Sequence, residues 1–146
     1  MFYRVSLLVL VIIFMIAWWR NTAKAIRKLE EKKNEAAGAL DAALAQAAAA
    51  LGMESPRAGM DVPQKNEAYL KIANGLASLS GGQPSPERRH LADSRQAYNE
   101  AAYALNDQIV TFPYSVISKS IHLQPADYIG TDEEIRVQIT ALEPQY

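Results

Sequence analysis

Residues 5–19, VSLLVLVIIFMIAWW, carry no charge and no helix breaker. A run that is apolar on every face has no side to turn toward water, so it suits lipid better than an amphipathic bundle. As a helix it rises about 1.5 Å per residue, roughly 22 Å in all, somewhat short of a ~30 Å hydrocarbon core. Phe2 and Tyr3 extend it outward, and Trp18 and Trp19 stand at the other end, so both pairs are placed like interfacial belts. Arg4 and Arg20 can snorkel at the two ends. Residues 1–20 therefore read as a transmembrane signal-anchor. The rival is a cleaved signal peptide with Ala23-Lys24-Ala25 as its small-residue site, which would release an exported soluble bundle. Trp-Trp-Arg stands where small neutral residues are expected, and the helical pattern runs on through the supposed site. Both features favour the anchor.

Charge is distributed unevenly around this segment. One base precedes the run, whereas residues 20–33 hold Arg20, Lys24, Arg27, Lys28, Lys32 and Lys33 against Glu30 and Glu31, a net of +4. Residues 34–146 hold eight bases and fourteen acids, a net of −6. The basic side predicts a cytoplasmic body on a single-pass inner-membrane protein. A basic collar at residues 21–33 below an acidic body fits a membrane surface, and no basic face appears on the body to receive nucleic acid. The chain has no cysteine, which excludes disulfides and thiolate metal sites.

The body predicts an all-α fold, the anchor helix continuing into an antiparallel three- to four-helix bundle. Ile26, Leu29, Ala36, Leu40, Leu44, Ala47 and Leu51 draw one stripe at spacings of three and four, a helix over about 21–53. Glycines and prolines in GMESPRAGMDVP end it. A second helix covers about 63–80, with Tyr69, Leu70, Ile72, Ala73, Leu76 and Leu79 near one side and Gly75 weakening its middle. SGGQPSP is a loop, and Ser85 before Pro86 suits an N-cap with proline at the first helical position. The third helix, about 86–111, carries Leu91, Tyr98, Leu105 and Phe112 seven apart as a seam. Pro113 stops it. YSVISKSIHL is a short amphipathic piece, and Ile135, Val137 and Ile139 alternate in the last segment, so residues 129–146 read as a short strand or extended tail.

Arg95, Asn99 and Asn106 fall along one edge of the heptad seam. They read either as half-exposed polar residues flanking the core or caps for neighbouring loops, or as an interhelical polar ladder, with Arg95 reaching Asp41 on the first helix. His90 and His122 are the only histidines. Glu87, His90 and Asp93 lie at i, i+3 and i+6, which leaves the two carboxylates about 120° apart on the helix, a poor metal site. An enzyme centred on His90 stays the weaker alternative. No phosphate-binding glycine loop, nucleophile elbow or His-Glu-x-x-His is present. No cofactor is expected.

SRQAYNEAAYALNDQIVTFPYSVI followed by LQPADYI resembles the C-terminal signature of the LemA family of bacterial membrane-anchored helical proteins. In that pattern Arg95, Tyr98, Asn99, Ala102, Asn106, Phe112, Pro113, Pro125 and Tyr128 take the matching positions. NEAYLKI (66–72) is similar to the start of the family's middle helix, and NEAAGALDAAL (34–44) to its first helix, with Asp41 matching. Leu105 replaces the second tyrosine of the pattern, Ser115 the asparagine after Phe-Pro, and His122-Leu123 a glycine-aromatic pair. The first helix lacks the paired arginines and reads Ala45-Gln46. The resemblance covers residues 34–128 and implies a short transmembrane anchor on an antiparallel helical domain. Together these readings predict a non-catalytic, membrane-anchored scaffold. It would contact lipid through residues 1–33, and bind a membrane or cytoplasmic protein, or a second copy of itself.

Overall fold

The computed structural model describes residues 2–79, 81, 83 and 85–143, with side chains from residue 7 onward. The expectations for Phe2, Tyr3 and Arg4 therefore lie outside the described side chains. Ser80, Gly82 and Pro84 of the loop, and residues 144–146 of the tail, lie outside the described residues. The fold is all-α, with five helices and no strand among the described residues: α1 (Phe2–Ala50), α2 (Val62–Leu79), α3 (Pro86–Val110), α4 (Tyr114–Ser120) and α5 (Asp132–Leu142).

α1 joins two chemistries in one unbroken helix. Its first part is exposed at every described position from Leu7 to Asn21 although almost wholly apolar, with Leu7 at 67% and Phe14 at 71%. From Thr22 onward a single stripe is buried: Thr22, Ile26, Leu40, Ala43, Leu44, Ala47 and Ala48. This one helix is long and apolar enough to cross a membrane. No proline or glycine lies between the two parts, so nothing in the backbone interrupts the hydrogen-bond ladder there.

α3 supplies most of the packing against α1, and the two run antiparallel. Leu40 to Ala48 share a core cluster with Leu91, Tyr98 and Ala102, while Ile26 shares a second cluster with Leu105, Ile109 and Ile117. Alanines at 43, 47, 48 and 102 let the two helices approach closely. The 51–61 connection passes back along α1 beside Asp41–Ala45, so α2 rises in the same sense as α1 and antiparallel to α3. Gly75 is explained here: a Cβ at this position would lie 2.9 Å from Leu51 Cδ1, so glycine admits the end of α1 against α2.

Ser85 caps α3 as expected, accepting a hydrogen bond from Arg88 N at 3.2 Å. Two expectations are corrected. Phe112 does not end the packing seam: α3 closes at Val110, and the Phe112 side chain is 75% exposed. Ile109 is the last buried residue of that helix, because the chain turns at Phe112-Pro113 and swings the aromatic ring outward. The final segment is a helix and not a strand or extended tail. Thr131 and Glu134 form a reciprocal capping box, each side chain bonding the other's backbone N–H. Behind it Ile135, Gln138, Ile139 and Leu142 make a half-buried stripe at i, i+3, i+4 and i+7, leaving Val137 exposed.

Candidate functional site

Between α4 and α5 the chain runs without regular structure from Leu123 to Gly130, and this stretch is held by side chains. Asn99 donates from Nδ2 to Ile129 O at 2.8 Å and accepts from Ile129 N at 2.8 Å. Asn106 treats Ala126 in the same way, at 2.8 and 2.7 Å. A primary amide carries a donor and an acceptor side by side, so each asparagine closes a two-bond ring with one residue's backbone, as a neighbouring strand would. Tyr98 donates to Asp127 O at 3.1 Å, Asn66 accepts from Gly130 N at 2.8 Å, and Asn106 Nδ2 also reaches Tyr128 Oη at 3.2 Å.

The spacing of the asparagines follows from the two backbones they join. Seven helical residues advance about 10.5 Å. Three residues of extended chain advance about 9–10 Å. Asn99 and Asn106, seven apart on α3, therefore meet Ile129 and Ala126, three apart on a segment running the other way. Without them the amides and carbonyls of a partly buried, irregular segment would lack partners. Ile129 itself is fully buried in the main core cluster.

These contacts resolve the polar edge of α3. Asn99 and Asn106 bind chiefly the backbone of residues 126–129; their one helix-to-helix bond among the described residues runs from Asn99 Nδ2 to Gln138 Oε1 on α5 at 3.1 Å, and Asn106 adds its bond to Tyr128 Oη. Arg95 does not reach Asp41. Its guanidinium lies 5.7 Å from the Tyr69 ring centroid, a cation–π arrangement, and its Nε and Nη1 are buried without a hydrogen bond among the described residues. Asp41 is taken by Lys65, with Nζ 2.7 Å from Oδ1, closer to an ion pair than an aligned hydrogen bond. Pro113, half-buried behind a cis peptide bond, precedes α4. Tyr98, Asn99, Asn106 and Tyr128 are thus brought together, and Asp41, Phe112 and Pro113 stand apart from them.

Sequence reasoning places Tyr69 only in the stripe of the second helix and gives no role to Asn66, Lys65, Gly130 and Glu134. Tyr69 Oη lies 3.3 Å from Glu134 Oε1, tying α2 to the start of α5. Gly130 has φ +139, a conformation that calls for glycine, and a Cβ there would also press on Arg95 Nη1 at 3.0 Å and Glu134 Oε2 at 3.1 Å. The signal that could have exposed this corner is Thr131-x-x-Glu134 directly after a glycine. A shallow recess of about 430 Å³ lies beside it, between α3 and α5, lined in part by Arg95, Gln96, Glu134 and Gln138.

Burial pushes the Tyr98 phenol above its ordinary value, with the Asp127 carboxylate adding to the rise. Burial also raises Tyr69, opposed by the Arg95 charge and reinforced by Glu134. Both shifts favour the neutral phenol in the folded chain. Their stabilisation is complete below the unfolded tyrosine value of about 10 and is lost as pH rises through the higher folded values. Alkaline titration followed by phenolate absorbance is therefore expected to show a late-ionising fraction that coincides with unfolding. Tyr98→Phe should remove part of that fraction.

Glu87, His90 and Asp93 are all exposed on α3, and no group of three or more His, Cys, Asp or Glu among the described residues could hold a metal ion. Comparison with family models, curated proteins and solved structures yields no match to this chain.

Proposed function

We propose that the protein is a single-pass, membrane-anchored helical scaffold that acts by binding and not by catalysis. The observation that carries this reading is α1 itself. Thirteen consecutive residues, 7–19, are apolar and every one is exposed, while the same helix continues into the centre of the body core. Soluble chains do not leave such a surface bare, and lipid is the environment that removes its cost.

The body belongs on the cytoplasmic face of the inner membrane by the bases that follow the span. Its remaining surface is acidic, and a rigid α1–α3 pair holds it upright for a membrane or cytoplasmic protein, or for a second copy. The resemblance of residues 95–128 to the LemA signature supports the same reading. The paired asparagines and Tyr128 of that resemblance are here the residues that fasten the 126–129 segment. In this reading they maintain the body's shape.

Alkaline carbonate extraction of membranes holding the full chain, with mass spectrometry of its N-terminal peptide, tests the anchor. The expected result is retention in the pellet with an intact Met1 peptide. Release into the supernatant with a new N-terminus after Ala25 would establish the exported soluble bundle instead. In-cell crosslinking from the same membranes then identifies what the body holds.

A further inference from the structure

The turn of chain from Val110 to Ile121 carries an apolar surface that the fold leaves open. Val110 is 72% exposed, Phe112 75%, Val116 51% and Ile121 39%, although Ile117 and Ser118 between them are buried. Bare apolar side chains gathered in one turn of chain mark a contact surface.

Their height along α1 identifies what they meet. α3 descends toward the apolar half of α1, α4 closes the turn, and residues 123–129 climb back along α3. Ile109 and Ile117 pack on Ile26, seven residues beyond Trp19, or about 10 Å along the helix. Among the described residues the lowest buried one of α1 is Thr22, only about 5 Å beyond Trp19. Val110 and Phe112 lie past Ile109 in the direction of the span. A headgroup layer is about 5–7 Å deep on each side of the hydrocarbon, so the turn stands at that layer.

The distribution of acids marks the same level independently. Residues 108–126 contain no carboxylate, and their one fixed charge is Lys119. Residues 1–29 contain none either, the first being Glu30. The acids that bound this zone are Glu30 on α1, Asp107 on α3 and Asp127 on the returning segment. Asp107 and Asp127 are set level by the bond between Asn106 and Ala126. Three passes of the chain thus begin their acids at a similar height, in a body whose net charge is −6. Below that height the exposed charges among the described residues are Arg20, Lys24, Arg27, Lys28 and Lys119.

From this we infer that the Val110–Ile121 turn is a membrane-contacting foot, seating Phe112 and Val116 in the headgroup layer of an anionic bilayer with Lys119 and the α1 bases on the lipid phosphates. Two contacts, span and foot, fix the tilt of the body on the membrane, which one helix alone leaves free. This inference rests on the reading of α1 as a span, and its test separates the two.

The chain has no cysteine, so single labels can be placed at will. Phe112→Cys, Phe14→Cys and Asp93→Cys, each carrying an environment-sensitive fluorophore, are reconstituted as full chains in phosphatidylglycerol–phosphatidylcholine vesicles with quenchers at headgroup or mid-chain depth. The expected result is mid-chain quenching at 14, headgroup quenching at 112 several-fold above that at 93, and little at 93. Quenching at 14 with 112 no different from 93 would overturn the foot and leave the anchor standing. No lipid quenching at 14 would overturn both. A blue shift at 112 that grows with protein density and ignores the lipid quenchers would assign the turn to a second copy, and would also overturn the foot. A label at Val116→Cys repeats the measurement at a second exposed position.

Discussion

Asn99→Leu is expected to lower the unfolding free energy by roughly 2–6 kcal/mol, because it leaves a buried N–H and a buried C=O of Ile129 without partners at about 1–3 kcal/mol each. Leucine is close to asparagine in shape, so the loss reports the hydrogen bonds and not a cavity. Asn106→Leu should cost less, about 1–3 kcal/mol, since that site is only half-buried. The measurement is reversible unfolding in detergent followed by circular dichroism. It pairs with limited proteolysis, in which cleavage within 121–131 should accelerate in Asn99→Leu before the rest of the body opens. Equal stability of Asn99→Leu and the parent chain would show that the asparagines are surface decoration.

The second large effect concerns the Asp41–Lys65 pair. The Lys65 side chain is 6% exposed and that of Asp41 24%. Removing one partner of a buried pair typically costs about 3–5 kcal/mol, and the penalty is greater when the charge left behind is the more buried one. Asp41→Asn is therefore expected to destabilise more than Lys65→Met, because the first strands the charge of the more buried of the two side chains. The double variant Asp41→Leu with Lys65→Met should recover most of the loss, since it removes both desolvation penalties together. A double variant as unstable as the sum of the singles would show that the pair does not act as a unit.

How much of this was legible beforehand differs from element to element. The 3.6-residue stripes placed α1, α2 and α3 to within a few residues, because long amphipathic helices declare themselves through periodicity. The last segment was misread because Ile135 and Ile139 fit an alternating pattern as well as a helical one, and Val137 tipped the choice. The Thr131–Glu134 capping box carried the better signal. Phe112 continued a seven-residue repeat on paper, but the repeat ends where the helix does. Asn99 and Asn106 are expected at the edge of the core; Asn99 is buried and Asn106 half-buried, and their partners were out of reach. Backbone groups of residues 126–129 have no side-chain signature, so nothing in their sequence announces that two amides will bind them. Arg95 was assigned to Asp41 by charge alone, and the buried Lys65 was nearer.

The misses at Asn99, Asn106 and Arg95 share a physical origin. Each concerns a contact between α3 and chain more than fifteen residues away, where local pattern is silent. What local pattern does convey is the contrast along α1, and that contrast also carries the functional reading.

The most direct test of that reading is a depth scan of α1 in proteoliposomes, with nitroxides placed one at a time at residues 7–28 of the full chain. Collision with oxygen dissolved in the bilayer is compared with collision with a water-soluble relaxant. The expected result is oxygen access and exclusion of the aqueous relaxant throughout 7–17. Above residue 20 a helical period of about 3.6 should appear, with minima for both relaxants at Thr22 and Ile26, where the body packs. Free access of the aqueous relaxant to residues 7–17 would contradict the account, because the bare half of α1 would then not lie in lipid.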